Sequence, residues 1–426
     1  MNVADIPVTK RRWYVAPEER VSLLAAAATY FLLLCGYYML RSLREAMALE
    51  AGSERIPLFF LITLVVMLAI LPLYWWIVAR VPRRRLMACV YLPVVALFAM
   101  LAALAGSGYV TPTLAGVYFV SVAALNLFVI SVFWSVMVDL WRPASAQRLF
   151  GMVAAGGSAG ALCGPAFNAF FVERLGATAV IYVACTLLVG AVYMGMLARN
   201  LRARADPEIA GDASVAVGGR AIEDLARLAR SPYLLGIAGL IVMTQILGAF
   251  MYNEQAKYVE SAYASLAARA AVFARIDLAS NVLALLMQTL LVGWLTARGG
   301  VRATLTVMWA IAAASFAILA FMPSGALLLI TQVVRRGGDY GIFKPAREML
   351  FTILSPESKF KSKSLIDTVL HRGSDSLGNG LYVLVSGIGL AAIAGLCAAA
   401  CVLLTIGARW LGAAFANQES KASRSR

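Results

Sequence analysis

Histidine is almost absent from this chain. His371 is the single one in 426 residues, so no zinc site can be assembled by the usual spacings. Cysteine is sparse and scattered: Cys35, Cys89, Cys163, Cys185, Cys397 and Cys401 all fall in apolar runs, and none forms a C-x-x-C pair. Cys397 and Cys401 have the spacing of one helix face, not of a disulfide framework. Acids are also few, 22 against 37 Lys and Arg, for a net charge of +15. Such a balance would suit nucleic acid, but the basic residues are not gathered on a soluble face. They lie between apolar runs, where the positive-inside rule accounts for most of them. No Ser/His/Asp set, metal cluster or paired-carboxylate motif stands out, so nothing points to an enzyme or to a cofactor. The stretch before Val21 is too polar and basic to be a cleaved signal peptide.

What the chain has in abundance is apolar sequence, 62% of its residues, where soluble domains sit near half. Hydrophobic runs appear near 21–40, 57–79, 86–105, 115–138, 149–171 and 178–198, and again near 234–256, 270–297, 303–322, 325–343, 364–388 and 390–411. Each is of a length to cross a bilayer as a helix. The expected organisation is an N-terminal tail (1–20), a six-helix bundle (21–198), a linker (199–233), a second six-helix bundle (234–411) and a C-terminal tail (412–426). Lys and Arg concentrate in alternate segments: Lys10 to Arg20, Arg80 with Arg83 to Arg85, Arg142 and Arg148, the six Arg of the linker, Arg298 and Arg302, Lys359 to Lys363, and Arg409 onward. The loops after helices 3, 9 and 11 have none. That bias places both termini of a multi-pass protein in the cytoplasm, and the expected setting is the bacterial inner membrane.

The halves echo each other in the same orientation. Trp76-Ile-Val-Ala-Arg80 with Arg83 to Arg85 after the second helix matches Trp294-Leu-Thr-Ala-Arg298 with Arg302 after the eighth. Parallel six-helix repeats related by an axis along the membrane normal are the layout of the major facilitator superfamily, and these two short basic loops resemble degenerate forms of its loop motif. The expected fold is an all-α polytopic membrane protein of major-facilitator type, with 12 transmembrane helices in two parallel six-helix repeats.

Charge within such helices is costly and marks candidate sites. Tyr37, Arg41 and Arg44 share one face at the end of the first helix, and Glu45 is four residues from Arg41. They are either a helix end snorkelling to the interface or two guanidinium groups aimed into a cavity, where each can hold phosphate or carboxylate oxygens. Glu254 and Lys257 sit at i, i+3 near the end of the seventh helix, at the corresponding depth of the second half. They are a local ion pair or the partner set of the first helix. Asp139, at the end of the fourth helix, is a gate residue, a proton acceptor or a partner of Arg142. Asp277, Asn281 and Gln288 form a polar stripe on the eighth helix, either a coupling site or hydrogen-bond glue. Gly156, Gly160 and Gly164 recur every four residues in the fifth helix without a following Gly-Lys-Ser/Thr, so they read as a packing seam and not as a phosphate loop.

The most charged stretch lies between apolar runs, from Arg335 to Gly380. Arg336, Tyr340 and Phe343 follow one helix face, and Asp339 is spaced to pair with Arg336. Pro345 is expected to kink or end that helix and to aim Lys344, Arg347 and Glu348 at a cavity or its mouth. Lys359 to Lys363 read as ordinary cytoplasmic loop.

At these helices the chain resembles the ATP:ADP antiporter family of plastid and bacterial nucleotide translocases. The family's Pro-Thr-Lys-Glu-Met run is similar to Pro345-Ala346-Arg347-Glu348-Met349 here, followed by a Lys-rich segment and Leu365-Ile366-Asp367. Its first-helix Leu-Arg-Asp-Thr-Lys-Asp resembles Leu40-Arg41-Ser42-Leu43-Arg44-Glu45, its fourth-helix pattern resembles Phe133-Trp134 through Asp139 to Arg148-Leu149-Phe150-Gly151, and its seventh resembles Asn253, Glu254 and Lys257. Two family lysines appear as Arg44 and Arg347, and one acid is shortened to Asp139.

The resemblance implies a secondary transporter exchanging nucleotides or a related phosphorylated anion by alternating access. Arg41, Arg44, Glu254, Lys257, Arg347 and Glu348 would bind substrate; Asp139, Asp277 and Asp339 would gate or couple protons. It implies no cofactor, a monomer in the lipid bilayer, a small anionic substrate and no nucleic-acid partner. The alternatives are a proton-coupled facilitator of another organic anion or metabolite, and a membrane scaffold or sensor that does not transport.

Overall fold

The computed structural model describes residues 15, 17–138, 140–141, 143–205, 231–351 and 370–424. Among them every regular element is a helix. The first half comprises α1 (Pro17–Glu50), a 3-10 turn (Ser53–Arg55), α2 (Ile56–Arg80), α3 (Arg83–Gly106), α4 (Pro112–Val138), α5 (Pro143–Leu175) and α6 (Ala177–Ala205). The second comprises α7 (Pro232–Ala262), α8 (Leu266–Leu286), α9 (Gly293–Phe321), α10 (Gly325–Gly338), α11 (Lys344–Leu350), α12 (His371–Val385) and α13 (Leu390–Arg424). One π-helical turn, Met287–Val292, joins α8 to α9 and another, Asp339–Phe343, joins α10 to α11.

Nine spans among the described residues are long and apolar enough to cross a membrane, one of them running from Leu266 to Phe321. That long span folds back at Gly300, whose φ of 65° and ψ of −170° are open to glycine and strained for other residues. Separating it there, and adding the rod 325–350 and α12, brings the described helices into register with the twelve expected from the sequence. The outermost side chains of these helices are apolar, Phe321 at 88% and Leu384 at 80% exposure among them, as contact with lipid requires.

The helices start where local chemistry stops the preceding chain. Ser231 caps α7 by accepting from the Leu234 amide at 3.4 Å, with Pro232 in the first turn, where its missing N–H costs nothing. Ser324 caps α10 in the same way through the Leu327 amide at 3.3 Å.

The chain divides into two units. The first holds residues 1–51, 65–216 and 265–275; the second holds 52–64, 217–264 and 276–426. Within the first, α5 lies flush on α1. A Cβ built on Gly156, Gly160 or Gly164 would stand 2.4, 2.3 or 2.5 Å from the carbonyl oxygen of Ala27, Phe31 or Cys35. These glycines are thus a backbone-to-backbone seam, as the four-residue spacing indicated. Within the second, Trp309, Phe316, Phe343, Tyr382 and Cys401 share a continuous buried core. Gly341, inside its π turn, packs on α8: its Cβ would meet that of Met287 at 2.8 Å and the Ala284 carbonyl at 3.0 Å. Gln288 caps this arrangement by donating to the Tyr340 carbonyl at 2.8 Å.

The sequence repeat has a structural counterpart. The Arg80 guanidinium lies 5.0 Å from the centre of the Trp76 ring, and that of Arg298 lies 4.6 Å from the centre of the Trp294 ring. Each half ends the corresponding helix with the same i, i+4 cation–π pair.

Candidate functional site

In the first unit the candidate residues project from the later turns of α1, which runs unbroken to Glu50. Three bonds hold those turns in place. Tyr118 donates to the Leu40 carbonyl at 3.3 Å, and Asn168 donates to the Met39 carbonyl at 2.8 Å and to the Ser42 hydroxyl. Against that frame Arg44 lies 4.6 Å from the centre of the Phe119 ring and donates from Nη2 to Glu45 Oε1 at 2.5 Å. Arg41, one turn earlier, lies 5.5 Å from the centre of the Tyr38 ring. Both guanidinium groups are therefore backed by an aromatic face, which leaves their planar edges for hydrogen bonds. Asp139 lies outside the described residues.

In the second unit α7 and α12 meet along a column of polar side chains. From one end, Gln245 donates to Asp375 Oδ1 at 2.5 Å and lies 3.3 Å from His371 Nδ1. Asn253 follows, donating to Asn379 Oδ1 at 2.7 Å. Then the Tyr382 hydroxyl donates to Glu254 Oε1 at 2.5 Å, and Lys257 stands 3.8 Å from the same oxygen. Lys257 Nζ also donates to the Ser386 carbonyl at 3.1 Å and lies 5.0 Å from the centre of the Tyr382 ring. The close approach that allows this column comes from Gly378, whose Cβ would stand 2.9 Å from both Ala249 Cβ and Ile246 Cα.

Glu254 is buried while its partner Lys257 is 41% exposed, so the ion pair is long and one-sided. Arg347 and Glu348 show the reverse asymmetry, 9% against 42%, at 3.2 Å. Neighbouring residues on a helix do not share a face, so Arg347 and Glu348, like Arg44 and Glu45, meet only because their long side chains curl toward each other.

Two sequence expectations are corrected. Arg336 pairs with Asp277 of α8, not with Asp339, and it reaches Asp277 because the glycines beside it, Gly337 and Gly341, bring α10 onto α8. Among the described residues no carboxylate ion pair involves Asp339. Pro345 does not end its helix: the Lys344 amide reaches back five residues to the Asp339 carbonyl, and past this π turn the helix continues to Leu350.

Sequence reasoning missed Arg335, which is buried to 9% exposure and donates from Nε to Gln332 Oε1 at 3.0 Å. It also missed the α12 side of the polar column. A signal existed for each. Residues 371, 375, 379, 382 and 386 keep a helical one-face spacing, and Gln332, Arg335 and Asp339 repeat at i, i+3 and i+7.

No protein-family model matches the chain, and no curated protein matches it in sequence. Solved structures do match in shape. A bacterial homologue of the iron transporter ferroportin, in its inward-facing state, superposes with a TM-score of 0.68 at 13% identity, over 92% of this chain and 98% of that one. The nucleoside transporter NupG gives 0.60 at 12% identity, covering 93% and 99%. A bacterial metal transporter gives 0.60 at 14% identity, covering 93% and 99%. At such identities the likeness is one of fold: this is a major-facilitator-type membrane protein of many apolar helices.

Proposed function

We propose that this chain is a secondary transporter that exchanges nucleotides, or closely related phosphorylated anions, across the bacterial inner membrane by alternating access. One observation carries the reading: each half places basic side chains inside its helices and holds them with an acid on the same helix, Arg44 with Glu45, Lys257 with Glu254 and Arg347 with Glu348. A pair of this kind is neutral when no substrate is present, which limits the cost of a buried charge. When a phosphate arrives, its oxygens replace the carboxylate and the acid swings aside. Arg offers two parallel donors to such a group and Lys one compact charge.

The solved relatives in shape carry substrates as different as nucleosides and metals, so the fold leaves the substrate class open. The excess of fixed positive charge favours a polyanion over a cation. Among the described residues no three His, Cys, Asp or Glu side chains converge as a cation site would need. The proton-coupled alternative would draw on Asp139, which lies outside the described residues, or on Asp277, whose carboxylate is engaged by Arg336.

Proteoliposomes test the proposal. Vesicles loaded with unlabelled ADP should take up labelled ATP or ADP faster than empty vesicles. Absence of counter-exchange with every nucleotide and sugar phosphate tried would sink it, and uptake that follows a pH gradient while ignoring internal nucleotide would select the proton-coupled reading.

A further inference from the structure

Four arginines deep in the described helices are engaged in visibly different ways. Arg44, Arg336 and Arg347 each have a carboxylate at ion-pair distance. Arg335 does not. It is one residue from Arg336 and as buried as Arg347, yet among the described residues no carboxylate lies within 4.0 Å of its guanidinium. Asp339, one turn along the same rod, is within electrostatic range but outside that distance. A second buried arginine with no carboxylate at ion-pair distance among the described residues, Arg202, differs in kind: its Nε donates at 3.2 Å to the Leu140 carbonyl, just past the end of α4, where the helix dipole is negative. Arg335 has no helix end to lean on.

The geometry around Arg335 is specific. Gln332, one turn back, accepts from Nε at 3.0 Å and so fixes the plane of the guanidinium. Beyond that anchor the two Nη groups carry four N–H donors, and Nη1 is the one nearest α7. There they meet a glycine: a Cβ on Gly248 would stand 3.4 Å from Nη1, 3.8 Å from Cζ and 3.9 Å from Nη2. The backbone of α7 is bare where the forked end of the arginine faces it. The polar column of Asn253, Glu254 and Lys257 starts on the next turns of the same helix. An oxyanion with two oxygens matches that fork.

We infer that Arg335 is the residue of the second unit that grips the substrate's oxyanion through its Nη groups, with Gln332 as its positioning residue and Gly248 leaving Nη1 uncovered on the α7 side. This rests on the transport reading and deepens it, because it names which basic group selects for phosphate. The pairs Arg44–Glu45, Lys257–Glu254 and Arg347–Glu348 must each surrender a carboxylate to take substrate, whereas Arg335 has none to release.

The test compares ADP, inorganic phosphate and adenosine as ligands of the purified full chain by equilibrium binding, with adenosine as the probe that lacks an oxyanion. In Arg335→Gln the affinity for ADP should fall at least 30-fold, about 2 kcal/mol, while that for adenosine changes less than twofold. Arg335→Lys, which keeps charge and loses the fork, should fall between. Gly248→Ala leaves the arginine in place and should weaken ADP about tenfold by covering Nη1, and it decides the matter if Arg335→Gln does not fold. Equal affinities for ADP in wild type, Arg335→Gln and Gly248→Ala overturn the inference and leave the transport proposal standing. Equal losses for ADP and adenosine also overturn it, since they mark a structural role. Wild-type protein that binds neither ADP nor phosphate overturns the transport proposal itself.

Discussion

Replacing Asp277 by Asn is the most discriminating perturbation of the second unit, because two roles for that residue predict opposite results. Asp277 is 3% exposed and its Oδ1 accepts from Arg336, itself only 12% exposed at the side chain. Removing the charge replaces a carboxylate by a weaker amide acceptor for a guanidinium held between α8 and α10. Breaking one side of a buried pair of this kind costs about 3–5 kcal/mol. Removing both sides with apolar groups of similar size, Asp277→Leu with Arg336→Met, removes the guanidinium charge as well and should recover most of that loss. Equilibrium unfolding in mixed micelles reads both variants against wild type. The reasoning is refuted if Asp277→Asn stays within about 1 kcal/mol of wild type, or if the double variant is no more stable than the single one. Transport adds the second axis. A structural ion pair predicts that the double variant regains exchange, whereas a proton-coupling carboxylate predicts that it stays inactive however well it folds.

Other outcomes follow from the same geometry. Gly160→Val places a branched side chain where even a Cβ would be 2.3 Å from the Phe31 carbonyl, and should cost about 1–3 kcal/mol in the same unfolding assay, with Ser158→Val on the exposed side of α5 as the neutral control. Tyr382→Phe leaves the buried Glu254 carboxylate without its 2.5 Å donor and should lower stability by about 1–3 kcal/mol while weakening, not abolishing, exchange in proteoliposomes. Arg41→Ala and Glu254→Gln should each abolish labelled nucleotide uptake with little change in thermal melting, and uptake preserved in both would favour a scaffold or sensor.

The twelve apolar runs and the Gly156/Gly160/Gly164 seam were legible because each depends on a single helix: run length against bilayer thickness, and small residues recurring on one face. The Trp76–Arg80 and Trp294–Arg298 pairs were legible for the same reason, both partners being four residues apart. The candidate site was legible only in part. Glu254 with Lys257 and Arg347 with Glu348 could be read as neighbours in sequence, whereas Glu45, spaced to meet Arg41, accepts from Arg44, and Tyr382 on Glu254 and Asp277 on Arg336 join residues 128 and 59 positions apart. No local spacing announces such a partner. The π turn at Asp339–Phe343 was equally hidden, since Pro345 is compatible with a kink, a helix end or a lengthened turn, and the packing of Gly341 on Met287 and Ala284 selects among them.

By itself the sequence determined that this is a polytopic helical membrane protein, because hydrophobic length acts on each segment separately. Only the tertiary structure decided which charges are mutually neutralised and which are not. Arg335 and Arg336 are adjacent and chemically identical, but a turn of 100° per residue aims one at Asp277 and the other at the bare backbone of Gly248. That difference of direction is what separates an ion pair from a candidate anion site.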